Sequence, residues 1–531
     1  MKRYEVLVFF TGGIVLSLEL LASRIMTPYF GVSLYIWTGI LSVTLVFLAL
    51  GYFLGGKATR LGRTSRDLEL TFLSALIVAA LAILLAAAIY PALFPILARR
   101  HLIVGSFVAA GLLLALPLIL LSALNPILIA MQPRNSAETG LRGDSGAGRI
   151  FFISTIGSVC GVLFTAFVFI PNIGNFQAIL TLGILLCLPA ILFAQFAGIG
   201  PAGAKWKLSL AGGFVAAACI ALLLGREGYL RLITSSTVGQ QTFNIVAEYT
   251  SVFGNIKIAE VRARDGDGAA ERYLIEDGVI QAHTSLNNQS LAMYSYALRS
   301  LTHSHAPTAD SAIVFGLGAG IVPRNLARDG LQVSVVEINP DALAAAVAHF
   351  GFQADAVDMH LQDARTFAHN CENSYDVAIV DLFRGDSIPD YLRTREFFFD
   401  LKRCLKSDGV MVLNTVLDTA QDAPNQRLFA TIASAFPILY LSGKRYGNSF
   451  IVGTSAARPV DVFMDQGPIP EAIAPLVRNA VFQSRRLAAG EYARWEPVTD
   501  DGNIFSVLFA KADLLERSIL VKNLPPRMLV N

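Results

Sequence analysis

Seven apolar stretches follow one another in the first part of the chain, at about residues 5 to 23, 33 to 55, 69 to 90, 102 to 130, 150 to 170, 175 to 198 and 208 to 225. Each is near 20 residues long with almost no charge, and as a helix each would cross a hydrocarbon layer about 30 Å thick. A single run of this kind fits the buried helix of a soluble protein. Seven in series predict a polytopic α-helical membrane domain over residues 1–232, with the lipid bilayer as its partner. The first run carries Glu19 and no small-residue cleavage site, so it is expected to stay as a span and not to be removed as a signal. Only 15% of the whole chain is charged, against roughly 25% in average soluble proteins, and the deficit lies mainly in this half.

Basic residues in short loops mark the cytoplasmic side. The N-terminus and the loops after runs two, four and six hold Lys2, Arg3, Lys57, Arg60, Arg63, Arg66, Arg134, Arg142, Arg149, Lys205 and Lys207, whereas the odd loops hold Arg24, Arg99 and Arg100. A multi-pass protein of a bacterial inner membrane with a cytoplasmic N-terminus is expected. An odd number of spans would then deliver the rest of the chain to the outer face, away from cytosolic nucleosides. Either the count is off by one, with the proline-interrupted run 91–100 as the weakest point, or the ligand is not cytosolic.

Within "LSLELLASRIMTPYFG", Glu19 and Arg24 are ionisable groups at membrane depth, which makes them candidates for function. The plainer alternative has Arg24 reaching for the interface and Glu19 making a contact between helices.

From about residue 238 the pattern changes. The segments "TFNIVAEY", "GNIKIAEVRAR" and "ERYLIEDGVIQAHT" predict a small antiparallel sheet, followed by a linking helix, over 238–306. Residues 307–455 then alternate buried strands with helices, which predicts a doubly wound, mostly parallel Rossmann-like sheet of methyltransferase or spermidine synthase type. Its first strand runs into "FGLGAG". A dinucleotide fingerprint places its third glycine one position later, where this chain has Ile321. The spacing of Gly316, Gly318 and Gly320 suits a nucleoside without pyrophosphate, such as S-adenosylmethionine or its decarboxylated form. Glu337 ends the second strand, where a carboxylate can accept from both ribose hydroxyls. Asp363 ends the third, in reach of an adenine amino group, and Asp381 ends the fourth at the reacting end.

These segments resemble the spermidine synthase family of aminopropyltransferases in its membrane-fused bacterial form. The resemblance is carried by "YLIEDGVIQ", "FGLGAG", "VVEIN", "LQDAR" and "YDVAIVDLF", and on the membrane side by "LELLASRIMTPYFGVSLYIWTGI", "GYFLGG" and "GAGRIFFISTIGSVCGVLFTAFVFIPNIG". It implies that Gln281, Gly316, Gly318, Glu337, Asp363 and Asp381 hold the donor and that Asp381 polarises an acceptor amine. It also suggests that Asp386, in "RGDSIPDYL", is a second acidic contact in a lid, and that the protein forms a homodimer as the soluble family does. The chain departs from the family at Ala319, at Tyr294, Ser295 and Tyr296, and in "DLFRGDSIP", where amine-binding carboxylates are expected. The acceptor is therefore left as a small amine or a membrane-derived molecule. Methyl transfer from S-adenosylmethionine, or a transporter or sensor with a regulatory Rossmann module, are the alternatives.

The five cysteines suggest neither a zinc site nor a disulfide framework, and no metal is expected. A net charge of +2 argues for no nucleic-acid partner. Residues 456–531 read as an appended helical extension, in which Asp500 and Asp501 most simply make a turn or a cap.

Overall fold

A computed structural model of the chain describes residues 2–60, 64–131, 146–196, 202–264, 269–383, 385, 387–417, 422–443, 448–455, 460–464 and 468–531. The chain divides into two compact units, Met1–Ser236 together with Val521–Asn531, and Thr237–Leu520.

Among its described residues the first unit contains seven helices long and apolar enough to cross a membrane: Tyr4–Phe30, Leu34–Ala58, Ser65–Arg100, Leu102–Met131, Ala147–Asn172, Asn175–Gln195 and Ala204–Leu224. The expected weak point at 91–100 is no break, because the third helix runs through Pro91 and Pro95 to Arg100. Glycines let the helices approach closely. A Cβ on Gly157 would lie 1.9 Å from the Phe9 carbonyl oxygen, and one on Gly55 would lie 2.5 Å from that of Ala123. The "GYFLGG" and "STIGSVCG" stretches are thus small-residue seams between the second and fourth helices and between the first and fifth. Large apolar side chains point outward; Phe53, Phe167 and Phe214 are each about 70% exposed. Glu19 and Arg24 are both half-buried. Their spacing of five sets them about 140° apart around the helix, so they do not share a face.

At one end of this unit, basic residues are held by the protein itself. Arg99 donates to the carbonyls of Val521 (3.3 Å) and Leu524 (3.0 Å). Arg527 donates to Glu227 at 2.7 Å.

The second unit begins with an antiparallel sheet of β1 (Thr237–Val238), β2 (Gln241–Thr250), β3 (Asn255–Ala263), β4 (Glu271–Glu276) and β5 (Val279–Ser285), in sequential order. β4 and β5 are joined by Asp277 and Gly278, both at positive φ, the two-residue turn that Asp-Gly favours. A larger sheet contains β6 (Ser311–Phe315), β7 (Gln332–Glu337), β8 (Asp358–Leu361), β9 (Tyr375–Val380), β10 (Leu405–Val416), β11 (Ile438–Gly443), β12 (Asn448–Thr454) and β13 (Arg485–Arg486). Its order is β13-β11-β12-β10-β9-β6-β7-β8, with the block from β10 to β8 parallel and the other three strands antiparallel. This is the expected mostly parallel sheet. Its strand order reverses between β6 and β9, the point at which such folds open a crevice at the carboxyl ends.

Two expectations are corrected. Cys371 and Cys404 are joined as a disulfide, with Cα atoms 4.7 Å apart and a sequence separation of 33. Spacing could not reveal the pair, because each cysteine lies at the C-terminal end of a different helix, Ala364–Asn370 and Arg395–Cys404. The helical extension expected over 456–531 is not one separate piece either: its described residues up to Leu520 belong to the second unit and Val521–Asn531 to the first. β13 adds to the sheet edge, and Tyr492, Val498, Phe505 and Phe509 are buried in one core with Phe398 and Phe436.

Candidate active site

The β6–β9 switch point is built on backbone geometry that only glycine tolerates at Gly316. Its φ is +93°, and a Cβ there would stand 2.1 Å from the Asp381 carbonyl oxygen. The turn is pinned on both sides, since the Gly316 N–H donates to Val336 O at 2.8 Å and the Asp381 N–H to Phe315 O at 2.9 Å. Gly318 faces open space and, with Gly316, lines a cavity of about 290 Å³. Gly320 does not line it. Its Cβ would meet Phe352 at 2.5 Å, so this glycine serves packing where the turn enters the helix Ile321–Arg328.

Gln281, Glu337, Asp363 and Asp381, drawn from four separate strand ends, line the same cavity. Glu337 accepts from the backbone N–H of Leu317 (3.0 Å) and of Asn339 (2.7 Å). Burial pushes its carboxyl up in spite of these donors. Each oxygen keeps a second lone pair with which a ribose hydroxyl can bond. Asp363 caps the helix Ala364–Asn370, accepting from Thr366 N at 2.9 Å, while its other oxygen accepts from the Tyr391 hydroxyl at 2.9 Å.

Asp381 sits deepest in charge terms. Burial pushes its carboxyl up to about 6, and only the Asn414 amide, donating to Oδ1 at 2.9 Å, favours the ionised form. The Asn414 carbonyl oxygen in turn accepts from Asn448 at 2.9 Å, so two strand side chains fix the orientation of the first. Tyr294 donates its hydroxyl to Gln281 O at 3.2 Å, and burial together with the neighbouring Asp381 keeps it a neutral phenol. Gln281 reaches over to the Gly385 carbonyl at 3.3 Å. Asp386 lies outside the described residues. Ala319 is buried against Ile256, Ile258 and Leu274 and does not face the cavity.

Sequence reasoning missed Asn414, Asn448, Tyr391 and the helix Ala510–Asn523, which contributes Glu516 and Leu520 to the lining. Asn414 carried a faint signal, since it follows the apolar run Val410–Leu413 of β10, whereas Asn448 at the start of β12 carried none. Arg517 on the same helix is fully buried and donates to the Asp277 carbonyl at 3.1 Å, which docks the helix beside the β4–β5 turn. Asp500 is outside the cavity. It grips Arg365 through both oxygens, at 3.0 and 2.6 Å, and Arg365 also donates to the Tyr391 carbonyl at 2.7 Å. It thereby steadies the tyrosine that contacts Asp363. Among the described residues no cluster of His, Cys, Asp and Glu is arranged to hold a metal ion.

The spermine/spermidine synthase domain matches residues 331–439. A polyamine aminopropyltransferase from Vibrio vulnificus is 36% identical over 115 residues, covering 20% of this chain and 38% of that protein. An N-terminal histidine N-methyltransferase from Emericella nidulans is 31% identical over 192 residues, covering 33% of this chain and 34% of that protein. The chain thus spans little more than a third of the length of these relatives. Among solved structures, a probable spermidine synthase from Corynebacterium glutamicum aligns over 48% of this chain and 97% of its own, at 19% identity and a TM-score of 0.40.

Proposed function

We propose that this chain, which belongs to a spermidine synthase-like family, is an integral membrane transferase that binds decarboxylated S-adenosylmethionine and moves its aminopropyl group to an amine. The observation that carries this reading is the joint lining of one cavity by Gly316, Gly318, Glu337, Asp363 and Asp381 at a topological switch point. Glu337 would take the ribose hydroxyls, Asp363 the adenine amino group, and the Gly316–Gly318 backbone would admit the nucleoside edge.

In the reaction the amine nitrogen attacks the carbon beside the sulfonium. The carbon–sulfur bond breaks, its electron pair stays on sulfur as a neutral thioether, and the new ammonium gives up a proton. The sulfonium is already a good leaving group, so the protein's part is alignment and proton handling. Asp381, poised at about 6 and held by Asn414, is ionised at neutral pH yet basic enough to accept that proton. Calorimetry with methylthioadenosine tests the binding: saturable heat that disappears in Glu337→Ala supports the reading, and no heat with the intact protein refutes it.

Methyl transfer from S-adenosylmethionine is the second reading, favoured by the similarity to a histidine N-methyltransferase. The mass gained by an amine acceptor, aminopropyl or methyl, decides between them.

For location, the seven apolar helices with outward-facing phenylalanines suit a bilayer as solvent. The basic residues favour a cytoplasmic N-terminus, and seven crossings then carry residues 237–520 to the opposite face. The disulfide Cys371–Cys404 supports that assignment, since such bonds persist in oxidising compartments. Part of the basic charge on that face is engaged within the protein, by Arg99 with carbonyls and Arg527 with Glu227. A donor used there has to be supplied by export or release from the cytosol. Reporter fusions after Asn531 test this side assignment: activity of a periplasm-dependent reporter supports it, and activity of a cytosol-dependent one overturns it.

A further inference from the structure

The short helix Ala364–Asn370 aims one wall of the cavity, because the lining residue Asp363 is its N-cap. Seven residues are too few for a helix to hold itself in water, so its direction is set by what it is fastened to. It is fastened at both ends. At the first, Arg365 is gripped by Asp500 at 3.0 and 2.6 Å and donates to Thr394 Oγ1 at 3.0 Å. At the second, its C-cap Cys371 is bonded covalently to Cys404, the last residue of the helix Arg395–Cys404. The links between these ends are weaker. His369 meets Asp400 at 3.4 Å and Arg365 meets it at 4.0 Å, and ion pairs of partly exposed groups contribute little. The main-chain bonds from Asn373 to Arg403 O (2.8 Å) and from Ser374 to Cys404 O (2.9 Å) hold the chain that leads into β9, and not the helix. Cys371 is buried, yet Asn370, Glu372 and Asn373 around it are exposed, so the bond lies just under the surface.

We propose that the Cys371–Cys404 disulfide is a redox-sensitive tie that aims Asp363 at the adenine amino group, so that opening it weakens recognition of the base. Two fastened ends fix both the position and the direction of the helix. With the bond open, the helix is free to pivot about Arg365, and Asp363, two residues from that pivot, turns with it. Its carboxylate moves as part of the helix because it accepts from Thr366 N at 2.9 Å and from Thr366 Oγ1 at 3.1 Å. Opening takes a dithiol, which supplies two electrons and two protons: the S–S bond becomes two cysteine thiols while the dithiol closes to its own disulfide. The inference rests on the transferase reading above and names a regulation of the same site. On the oxidising side of a membrane the bond persists and the base site is complete, whereas in a reducing compartment the same chain holds an adenine nucleoside loosely.

The test is calorimetric binding of methylthioadenosine, and of the methylthio purine riboside that lacks its 6-amino group, to the purified full-length protein in detergent before and after dithiothreitol. The untreated protein is expected to prefer methylthioadenosine by about tenfold, the worth of one hydrogen bond to a charged acceptor. Reduction is expected to bring that preference within about twofold by weakening methylthioadenosine alone. Cys371→Ser with Cys404→Ser is expected to show the reduced protein's values with or without dithiothreitol. A preference that survives reduction, with all five thiols titrating in the denatured chain, overturns the proposal. An equal fall for both ligands also overturns it, since the bond then supports the fold and not the base contact. So do equal binding of the two ligands by the untreated protein and a bond that dithiothreitol leaves closed. Failure of methylthioadenosine to bind the untreated protein refutes the transferase reading instead, so the two failures are separable.

Discussion

Replacing Asn414 with alanine isolates the one interaction that keeps Asp381 ionisable. In the intact protein Asp381 is pushed up to about 6 by burial, and the opposing influence is the Asn414 amide 2.9 Å from Oδ1. A hydrogen bond to a charged acceptor contributes about 1.5–3 kcal/mol. At about 1.4 kcal/mol per unit, its loss raises the carboxyl by about 1–2 units, to about 7–8. Since the proposed step needs Asp381 deprotonated, the acid limb of kcat/KM should move from near 6 to 7–8, with little change on the alkaline plateau. The assay is product formation against pH at subsaturating amine, paired with carbon NMR titration of labelled aspartate so that the shift is seen without turnover. A limb that stays within about 0.3 unit of the parent value, where a shift of about 1–2 is expected, would refute the assignment of Asp381 as the proton acceptor.

Four further outcomes are expected. Asp381→Asn should abolish transfer yet stabilise the fold at neutral pH. The sign follows from the raised carboxyl: ionisation above 3.8 works against folding, and the full cost, about 3 kcal/mol, is reached above about 6, so thermal unfolding midpoints of the variant and parent should diverge between those values. Gly316→Ala should lose nucleoside binding and at least about 1–2 kcal/mol of stability, read by calorimetry and denaturant titration, because its Cβ overlaps the Asp381 carbonyl at a positive φ. Reduction of Cys371–Cys404 should cost about 4 kcal/mol from the entropy of a 33-residue loop, and thiol titration of the denatured chain should count three free groups before reduction and five after. Gly157→Leu should separate the first and fifth helices, measured as loss of crosslinking between cysteines introduced on them, since the Phe9 carbonyl occupies the space its side chain would need.

The sequence by itself settled those features that depend on local pattern. Length and apolarity announced seven helices, and strand–helix alternation announced the sheet. Turn chemistry located Gly316 and Gly318, and the strand ends located Glu337, Asp363 and Asp381, because in a parallel sheet every strand end of this kind points to one edge. Gly320 shows where that logic stops, since a glycine in the same motif serves Phe352 and not the cavity. What only the tertiary structure decided are associations between residues distant in the chain: Cys371 with Cys404, Asn414 with Asp381, Asn448 with Asn414, and Asp500 with Arg365. None of these pairs has a spacing that a helix or strand period would reveal. Each exists because the fold brings separate elements together.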